Sequence, residues 1–295
     1  MKPRPPNTRP QLARRNFGPR DLLWLSGLAL VLFWFWRHLL NDYAYNWDWS
    51  FGPRLLVQVD ENGRLSPGIL LSGLLLTLKL SLWAAAGALV WGLILALSRL
   101  SRSLYMDLLA RAMIEGARNI PPLVLIFIFY YFLSDQILPW PTLLTWLKAL
   151  PPPFQSTLAA LAVPVDALPS FVSGAAALAV YEGAYFAEIF RGGINSIDRG
   201  QWEASWCLGL SKIQQYRSII LPQVFRRTAP QLAGQFISTL KDSSIVAVIS
   251  LQELTYSGQQ VEAITHQTNE VWLIVAALYF LVNFALSTAF RRLEK

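Results

Sequence analysis

The chain has 295 residues, of which 54% belong to the apolar set AVILMFWYC and 15% are charged. Soluble domains carry about 25% charged residues, so this composition indicates an integral membrane protein and excludes a disordered chain or a disulfide scaffold. The net charge of +7 indicates an orientation in the membrane rather than binding to nucleic acid, because cytoplasmic loops collect Lys and Arg.

Two predicted segments precede the main apolar stretches. Residues 1–20 hold six basic residues and no acidic residue, which predicts a basic cytoplasmic tail. Residues 21–65 are predicted to form an extra transmembrane helix, with its apolar part at 22–40, followed by an aromatic extracytoplasmic loop.

Three further spans are predicted before the longest polar connection. Residues 69–97 are predicted to form the second span. The apolar stretch that ends at Leu133 is short for a full crossing, so the third span must also include residues 112–119. Residues 134–170 carry seven prolines and are predicted to be a loop, parts of which dip into the membrane. Residues 171–190 form the fourth span.

The C-terminal third contains two more predicted spans. Residues 191–227 are a long polar connection, and the fifth span follows at 230–250, interrupted by two adjacent charged residues. Residues 251–270 carry three glutamates and no Lys or Arg, which predicts an outer loop. Residues 271–290 form the sixth span.

The distribution of basic residues predicts the orientation of these spans. With six spans and both termini in the cytoplasm, the cytoplasmic segments hold 18 of the 25 Lys and Arg residues, whereas the outer loops hold three. We therefore expect a multi-pass membrane protein whose N- and C-termini are cytoplasmic.

The polar connection contains a helix–turn–helix pattern at residues 200–222, GQWEASWCLGLSKIQQYRSIILP. Gly209 suits a helix C-terminus because glycine tolerates positive φ. Ser211 and Gln214 have the spacing of a capping box for the next helix, and Pro222 is expected to end or kink that helix. By composition alone, the pattern is equally compatible with an ordinary connection between two helices.

The spacing within this pattern resembles the cytoplasmic signature of the permease subunits of bacterial ATP-binding cassette (ABC) importers. That signature is Glu-Ala-Ala, three residues, Gly, nine residues, Ile, any residue and Leu-Pro. The matching positions, with a serine in place of the second Ala, are Glu203, Ala204, Ser205, Gly209, Ile219, Leu221 and Pro222.

The resemblance covers residues 66–292 and narrows to the permeases for polar amino acids. The segments RNIPPLVLIFIFYYF at 118–132 and QFISTLKDSSIVAVISLQEL at 235–254 are similar to segments of that family. The resemblance implies an all-α, polytopic membrane helix bundle, with the five-helix core of type I ABC importer permeases and one extra N-terminal helix. Residues 66–292 are then the permease domain, with a coupling helix at about 198–210.

The resemblance also implies several partners. The coupling helix of this family docks on a separate ATPase subunit, present as a dimer, which binds ATP and Mg²⁺. The chain contains no GxxxxGK[ST] phosphate loop, so we expect it to bind no cofactor itself. The resemblance further implies a second permease, identical or homologous, an extracytoplasmic amino-acid-binding protein and a place in the bacterial inner membrane.

Ionisable residues within spans are costly to insert and are candidates for the substrate pathway. Lys241 and Asp242 either line a path for the charged groups of an amino acid or form an ion pair that only stabilises the bundle. Glu182, which has no local partner in the sequence, is expected to bind a cationic group. The candidate pathway residues are Glu182, Tyr185, Gln235, Ser238, Lys241, Asp242 and Ser243.

These features predict a permease subunit that moves a polar L-amino acid into the cytoplasm and is not an enzyme. Two alternatives are a non-transporting assembly subunit of such a complex and an integral membrane transferase. A transferase needs clustered catalytic groups, but the two histidines are far apart and neither an HExxH nor a GxSxG motif occurs. We therefore expect no catalytic residue and no metal site. We also expect the helices to contact membrane lipid.

Overall fold

A computed structural model describes residues 18–42, 47–59 and 63–293, which are mainly helical. The helices are α1 (Pro19–Asp42), α2 (Gly52–Leu56), α3 (Ile69–Arg99), α4 (Leu104–Asn119), α5 (Pro122–Phe127), α6 (Ser134–Ile137), α7 (Trp140–Lys148), α8 (Pro152–Leu161), α9 (Leu168–Asn195), α10 (Arg199–Cys207), α11 (Lys212–Gln214), α12 (Leu221–Asp242), α13 (Leu254–Thr265) and α14 (Thr268–Leu293). Segments of π-helix lie at Ile128–Leu133 and Gln215–Ile220, and segments of 3₁₀-helix at Val165–Ala167 and Ser243–Ile249.

A small hairpin departs from the all-α expectation. Strand β1 (Val57–Val59) pairs antiparallel with β2 (Leu65–Pro67), with Gln58 opposite Ser66. The two strands are only three residues long, so the helical fold class stands.

The chain divides into two compact units, Met1–Trp47 and Asp48–Lys295. The described part of the first unit is α1, which contains the predicted apolar stretch 22–40. Three stretches on which predictions fell lie outside the described residues: 1–17 of the tail, and 43–46 and 60–62 of the outer loop.

Helices α3 and α9 form the centre of the second unit. Small residues line the surface where they meet, and Ala88, Gly92, Gly183 and Ala187 are all buried there. A Cβ atom added at Gly92 would lie 2.6 Å from the Cβ of Phe186. Small side chains permit this close approach of two helix backbones within a membrane, and α4, α5, α12 and α13 each pack against at least one helix of the pair.

Among the described residues, α3 and α14 are each long and apolar enough to cross a bilayer alone. The number of such crossings rises to four if each of two bent helix pairs counts as one. These pairs are α4 with the segment Pro122–Leu133, and α8 with the segment Val165–Asn195.

The predicted third span is not one straight helix. Helix α4 and the segment Pro122–Leu133 meet at an angle of 108°. Ile120 between them has extended backbone angles, because a proline disfavours helical geometry in the residue before it. Pro121 and Pro122 also lack the N–H groups that would continue the hydrogen bonding of α4.

The predicted fifth span begins too late. Helix α12 starts at Leu221, runs through Pro230 and gives way to 3₁₀-helix at Ser243. Pro222 does not end the helix, because the π-helical segment Gln215–Ile220 leads directly into α12 and helical residues run without a break from Lys212 to Asp242. The predicted loops at 134–170 and 251–270 also contain helices, α6 to α8 and α13 respectively.

Lys79 and Trp83 of α3 hold the C-terminal end of α8. The Nζ of Lys79 donates to the carbonyl oxygen of Ala159 at 2.8 Å, and the Nε1 of Trp83 donates to that of Leu161 at 3.1 Å. The last carbonyl groups of a helix have no partner within the helix, and a cation there also interacts favourably with the helix dipole. The mid-helix lysine is therefore explained by a structural contact.

Candidate functional site

The connection between α9 and α12 contains the helix–turn–helix that the sequence pattern predicts. Gly209, at a φ of +72°, follows the end of α10. Its N–H donates to the carbonyl of Trp206, and the N–H of Leu210 donates to that of Ser205, which is the hydrogen-bond pattern of a Schellman motif. The residue must adopt a left-handed conformation to end α10 in this way.

The predicted capping box starts α11. The backbone N–H of Gln214 donates to the Oγ of Ser211, and the backbone N–H of Ser211 donates to the Oε1 of Gln214. Each side chain satisfies a backbone N–H that has no partner within the helix. The turn between α10 and α11 is therefore fixed by local chemistry on both sides.

Contacts within the connection hold α10 against the start of the next helix. The ring of Trp202 meets that of Tyr216 edge-on, with 5.3 Å between the centroids. Burial raises the pKa of the Tyr216 hydroxyl, so this side chain carries no charge at neutral pH. Ser205 is fully buried and its Oγ donates to the carbonyl of Trp202. The small side chain at position 205 thus serves the packing of the chain itself.

The other residues of the signature differ in their exposure to solvent. Glu203 is exposed and pairs with Arg199 at 2.8 Å on the same helix. Ala204, Gly209 and Pro222 are exposed, and Ile219 and Leu221 are half-buried.

Large apolar side chains project from this connection into solvent. Trp206, Leu208 and Ile213 are 76%, 74% and 78% exposed. Large exposed apolar side chains of this kind occur on surfaces that contact another protein or a membrane.

A second set of predicted residues meets midway along α9. Glu182 is fully buried, and its Oε2 accepts a hydrogen bond from the Nε2 of Gln235 on α12 at 2.5 Å. No donor reaches its Oε1 within the described part of the chain. The carboxyl group of Asp242 also interacts with that of Glu182. Three of the seven predicted pathway residues are therefore neighbours.

Aromatic side chains border this acidic pair. The hydroxyl groups of Tyr181 and Tyr185 lie 3.3 Å apart, and Tyr181 interacts electrostatically with Glu182 and Asp242. The guanidinium group of Arg118, next to the sharp bend after α4, lies 5.3 Å from the centre of the Tyr185 ring. Such an arrangement is a cation–π contact.

The remaining pathway candidates do not join the pair. Lys241 is exposed, and the structure of the described residues contains no ion pair between it and Asp242. Ser243 is buried and its Oγ donates to the carbonyl of Leu240, while Ser238 is half-buried. The interpretation of Lys241 and Asp242 as an ion pair is therefore not supported.

The sequence analysis missed two residues of the cluster. Thr239 lies one turn after Gln235 and one turn before Asp242, and it interacts with the Glu182 carboxyl. Tyr181 is adjacent to Glu182 in the chain. The spacing 235, 239 and 242 along one helix face is the signal that would have found Thr239.

Metal binding has no candidate among the described residues. In that part of the chain, no group of three or more His, Cys, Asp or Glu side chains is placed to hold a metal ion.

The comparison with protein families decides the class of this chain. The model of the family described as "Binding-protein-dependent transport system inner membrane component" matches residues 88–295. The chain belongs to this family. The match confirms the sequence resemblance to the permease subunits of bacterial ABC importers, and the relatives named below are permeases for amino acids and related compounds.

Relatives within this permease family cover most of the chain. The glutamine transport system permease protein GlnP of Escherichia coli (strain K12) is 33% identical over 227 residues, which are 77% of this chain and 92% of the relative. The octopine transport system permease protein OccM of Rhizobium radiobacter is 32% identical over 230 residues, covering 76% and 84%.

Solved structures confirm the fold of the permease family. An amino acid ABC transporter crystallised with histidines matches with a TM-score of 0.60 and 31% identity, covering 77% of this chain and 92% of that one. The methionine ABC transporter MetNI in an inward-facing conformation matches with a TM-score of 0.52 and 18% identity, covering 77% and 97%. The expected type I permease fold is therefore correct.

Proposed function

We propose that this chain is the permease subunit of an importer that carries a polar L-amino acid into the cytoplasm, driven by ATP hydrolysis in a separate subunit. The observation that carries the proposal is the buried carboxyl group of Glu182, midway along α9, which accepts a hydrogen bond from Gln235 and interacts with the carboxyl group of Asp242. The glutamine, octopine and glutamate/aspartate permeases among its relatives support the same substrate class.

The chemistry of the pair favours a cationic group on the substrate. Two neighbouring carboxylates in a site of low dielectric repel each other, and a proton or a cation between them relieves the repulsion. Among the described residues neither Glu182 nor Asp242 forms an ion pair, since Lys241 is exposed and the guanidinium group of Arg118 lies against the Tyr185 ring. The α-ammonium group of an amino acid supplies the missing charge, and its three N–H donors match the free Oε1 of Glu182.

Helix α12 has a second polar face, beside the one that carries Gln235 and Asp242, and this face offers a partner for the carboxylate of the amino acid. Gln235, Thr239 and Asp242 share one helix face, and Ser238 and Lys241 share the adjacent one. Lys241 is exposed, and its ammonium group is the proposed partner for the carboxylate of the substrate. Of the remaining predicted residues, Tyr185 borders the acidic pair, and Ser243 lies where α12 changes to 3₁₀-helix.

The connection around α10 is the proposed coupling element. Its exposed Trp206 and Leu208 form a surface for the ATPase subunit, which binds ATP and Mg²⁺, and Gly209 sets the angle at which α10 is presented. Movement of two ATPase subunits toward each other would then rock α10 and switch the bundle between inward-facing and outward-facing states.

The proposed complex contains two permeases, an ATPase dimer and an extracytoplasmic amino-acid-binding protein in the bacterial inner membrane. Both termini are cytoplasmic, as the excess of Lys and Arg in the connections of residues 99–111 and 191–227 supports. Residues 66–292 act as the permease domain, and residues 21–65 add one span.

Uptake of labelled amino acids into cells that express the complex tests the substrate site. Glu182→Gln keeps the size of the side chain and removes its charge, so we expect the KM for uptake to rise by about 10-fold to 100-fold, as for loss of a charge-assisted hydrogen bond. Glu115→Gln, at an exposed carboxyl on α4, is the matched control and should leave uptake unchanged. Unchanged uptake of every amino acid by Glu182→Gln and by Lys241→Ala, both well expressed, would instead indicate an assembly subunit.

Co-purification with the ATPase subunit tests the coupling element. Gly209→Asp introduces a side chain at a position of positive φ, where the conformation costs about 1–2 kcal/mol, and should reduce both recovery of the ATPase and transport. Gly192→Asp, at an open helical position on α9, is the control. Normal assembly and transport in Gly209→Asp would refute the assignment.

A further inference from the structure

A groove lies between the end of α3 and the start of α12. Its volume is about 560 Å³, within the range of sites that hold small organic ligands. The apolar part of its wall is formed by Leu97, Leu100 and Leu221, together with the ring of Tyr216. Helix α3 is long and apolar enough to cross a membrane and ends at Arg99 beside the groove, so the groove lies at one end of that span.

Three basic side chains surround this apolar wall. They are Arg102, Lys212 and Arg217, and all three are exposed. Within the described residues none of them forms an ion pair. The groove has no acidic lining residue, and Tyr216 is uncharged at neutral pH. The rim is therefore strongly positive and without a counter-charge.

We propose that this groove binds an anionic phospholipid of the inner leaflet, with the phosphate on the three basic side chains and the upper acyl chain against the leucines. The proposal uses the membrane orientation of the proposed function, which places the ends of α3 and α12 at the cytoplasmic surface. Basic pockets between helices at that surface are suited to anionic headgroups, since that leaflet presents the negative lipids.

The composition of the wall favours a lipid over a soluble anion or a protein. A free phosphate ion gains nothing from three leucines, whereas an acyl chain removes their surface from water. Ile213 also lines the groove and is 78% exposed, which is costly beside water and favourable beside lipid. The ATPase subunit has a separate docking surface at Trp206 and Leu208 in the proposed function.

Binding of phosphatidylglycerol to the full-length chain, purified in detergent, tests the proposal. Native mass spectrometry at increasing lipid concentration gives the affinity, and phosphatidylcholine provides the neutral comparison. We expect phosphatidylglycerol to bind at least tenfold more tightly. Because the measurement is made in detergent, it depends on neither transport nor orientation, and its failure is distinct from failure of the proposed function.

Replacement of the basic side chains locates the site. Each of Arg102→Gln, Lys212→Gln and Arg217→Gln should weaken phosphatidylglycerol binding by about fivefold, and the triple variant by about 100-fold, from the usual contribution of one cation near anionic lipid. Arg292→Gln, at an exposed cation outside the groove, is the matched control and should bind as the unmodified chain does. The single variants keep the test valid if the triple variant does not fold.

Three outcomes would overturn the proposal. One is unchanged affinity for phosphatidylglycerol in all three single variants. Another is displacement of the lipid by inorganic phosphate at a similar concentration, which would indicate a site for a free anion. The last is displacement of the lipid by the ATPase subunit, which would indicate a protein interface.

Discussion

Replacement of Gly92 by alanine is expected to separate the two central helices. A Cβ atom at this position would lie 2.6 Å from the Cβ of Phe186, 2.8 Å from the carbonyl oxygen of Gly183 and 2.9 Å from the backbone nitrogen of Ala187. Carbon atoms in contact are normally about 3.5–4.0 Å apart, so α3 and α9 must move apart by about 1 Å. None of these three atoms moves with a rotamer change, because two belong to the backbone and the backbone fixes the position of a Cβ atom.

The expected cost is that of overpacking a buried interface, about 1–3 kcal/mol. Alanine also favours a helix over glycine by up to about 1 kcal/mol, which offsets part of this cost. Gly116→Ala on α4 is the matched control, because no atom lies within 4 Å of its added Cβ. The difference in stability between the two variants therefore reports the clash alone.

Thermal unfolding of the purified chain in detergent measures this difference. A melting temperature lower by roughly 2–10 °C in Gly92→Ala than in Gly116→Ala is the expected result for a chain of this size. Equal melting temperatures in the two variants would refute the reasoning, since they would show that α3 and α9 are not in the close contact described.

Two further predictions concern polar contacts between helices. Tyr279→Phe removes the hydroxyl that donates to the buried carboxyl of Glu253 at 3.0 Å, and it should lower the free energy of unfolding by about 1–3 kcal/mol. The control is Tyr105→Phe, at an exposed tyrosine. Equal melting temperatures of the two variants would contradict this prediction. Lys79→Met removes the donor to the carbonyl of Ala159 and should increase hydrogen exchange in α8; exchange there at the original rate would show that this contact does not hold the helix.

Sequence motifs whose interactions join residues close in the chain predicted the local structure correctly. The capping box of Ser211 and Gln214 and the helix end at Gly209 are both present, because their hydrogen bonds join residues close in the chain. The positions of α3 and α14 agree with the apolar stretches, because spanning length depends only on local hydropathy.

Helix ends near prolines were predicted less well. The bend between α4 and α5 lies at Pro121, where the sequence suggested a continuous span. Pro222 and Pro230, by contrast, lie within the continuous run of helical residues from Lys212 to Asp242. An interior proline costs a helix one hydrogen bond and a steric clash, and the packing of neighbouring segments decides whether the helix continues past it.

The class of protein and the predicted orientation follow from the sequence by itself, because the transfer of a side chain into lipid depends on that side chain alone. Which charged groups meet in the bundle was decided by the tertiary structure. Glu182 faces Gln235, 53 residues away, and Asp242 rather than Lys241 shares that space. The rotation of α12 against α9 determines this choice, and that rotation results from packing between the two helices, such as Phe190 against Phe225 and Gly193 against Thr228.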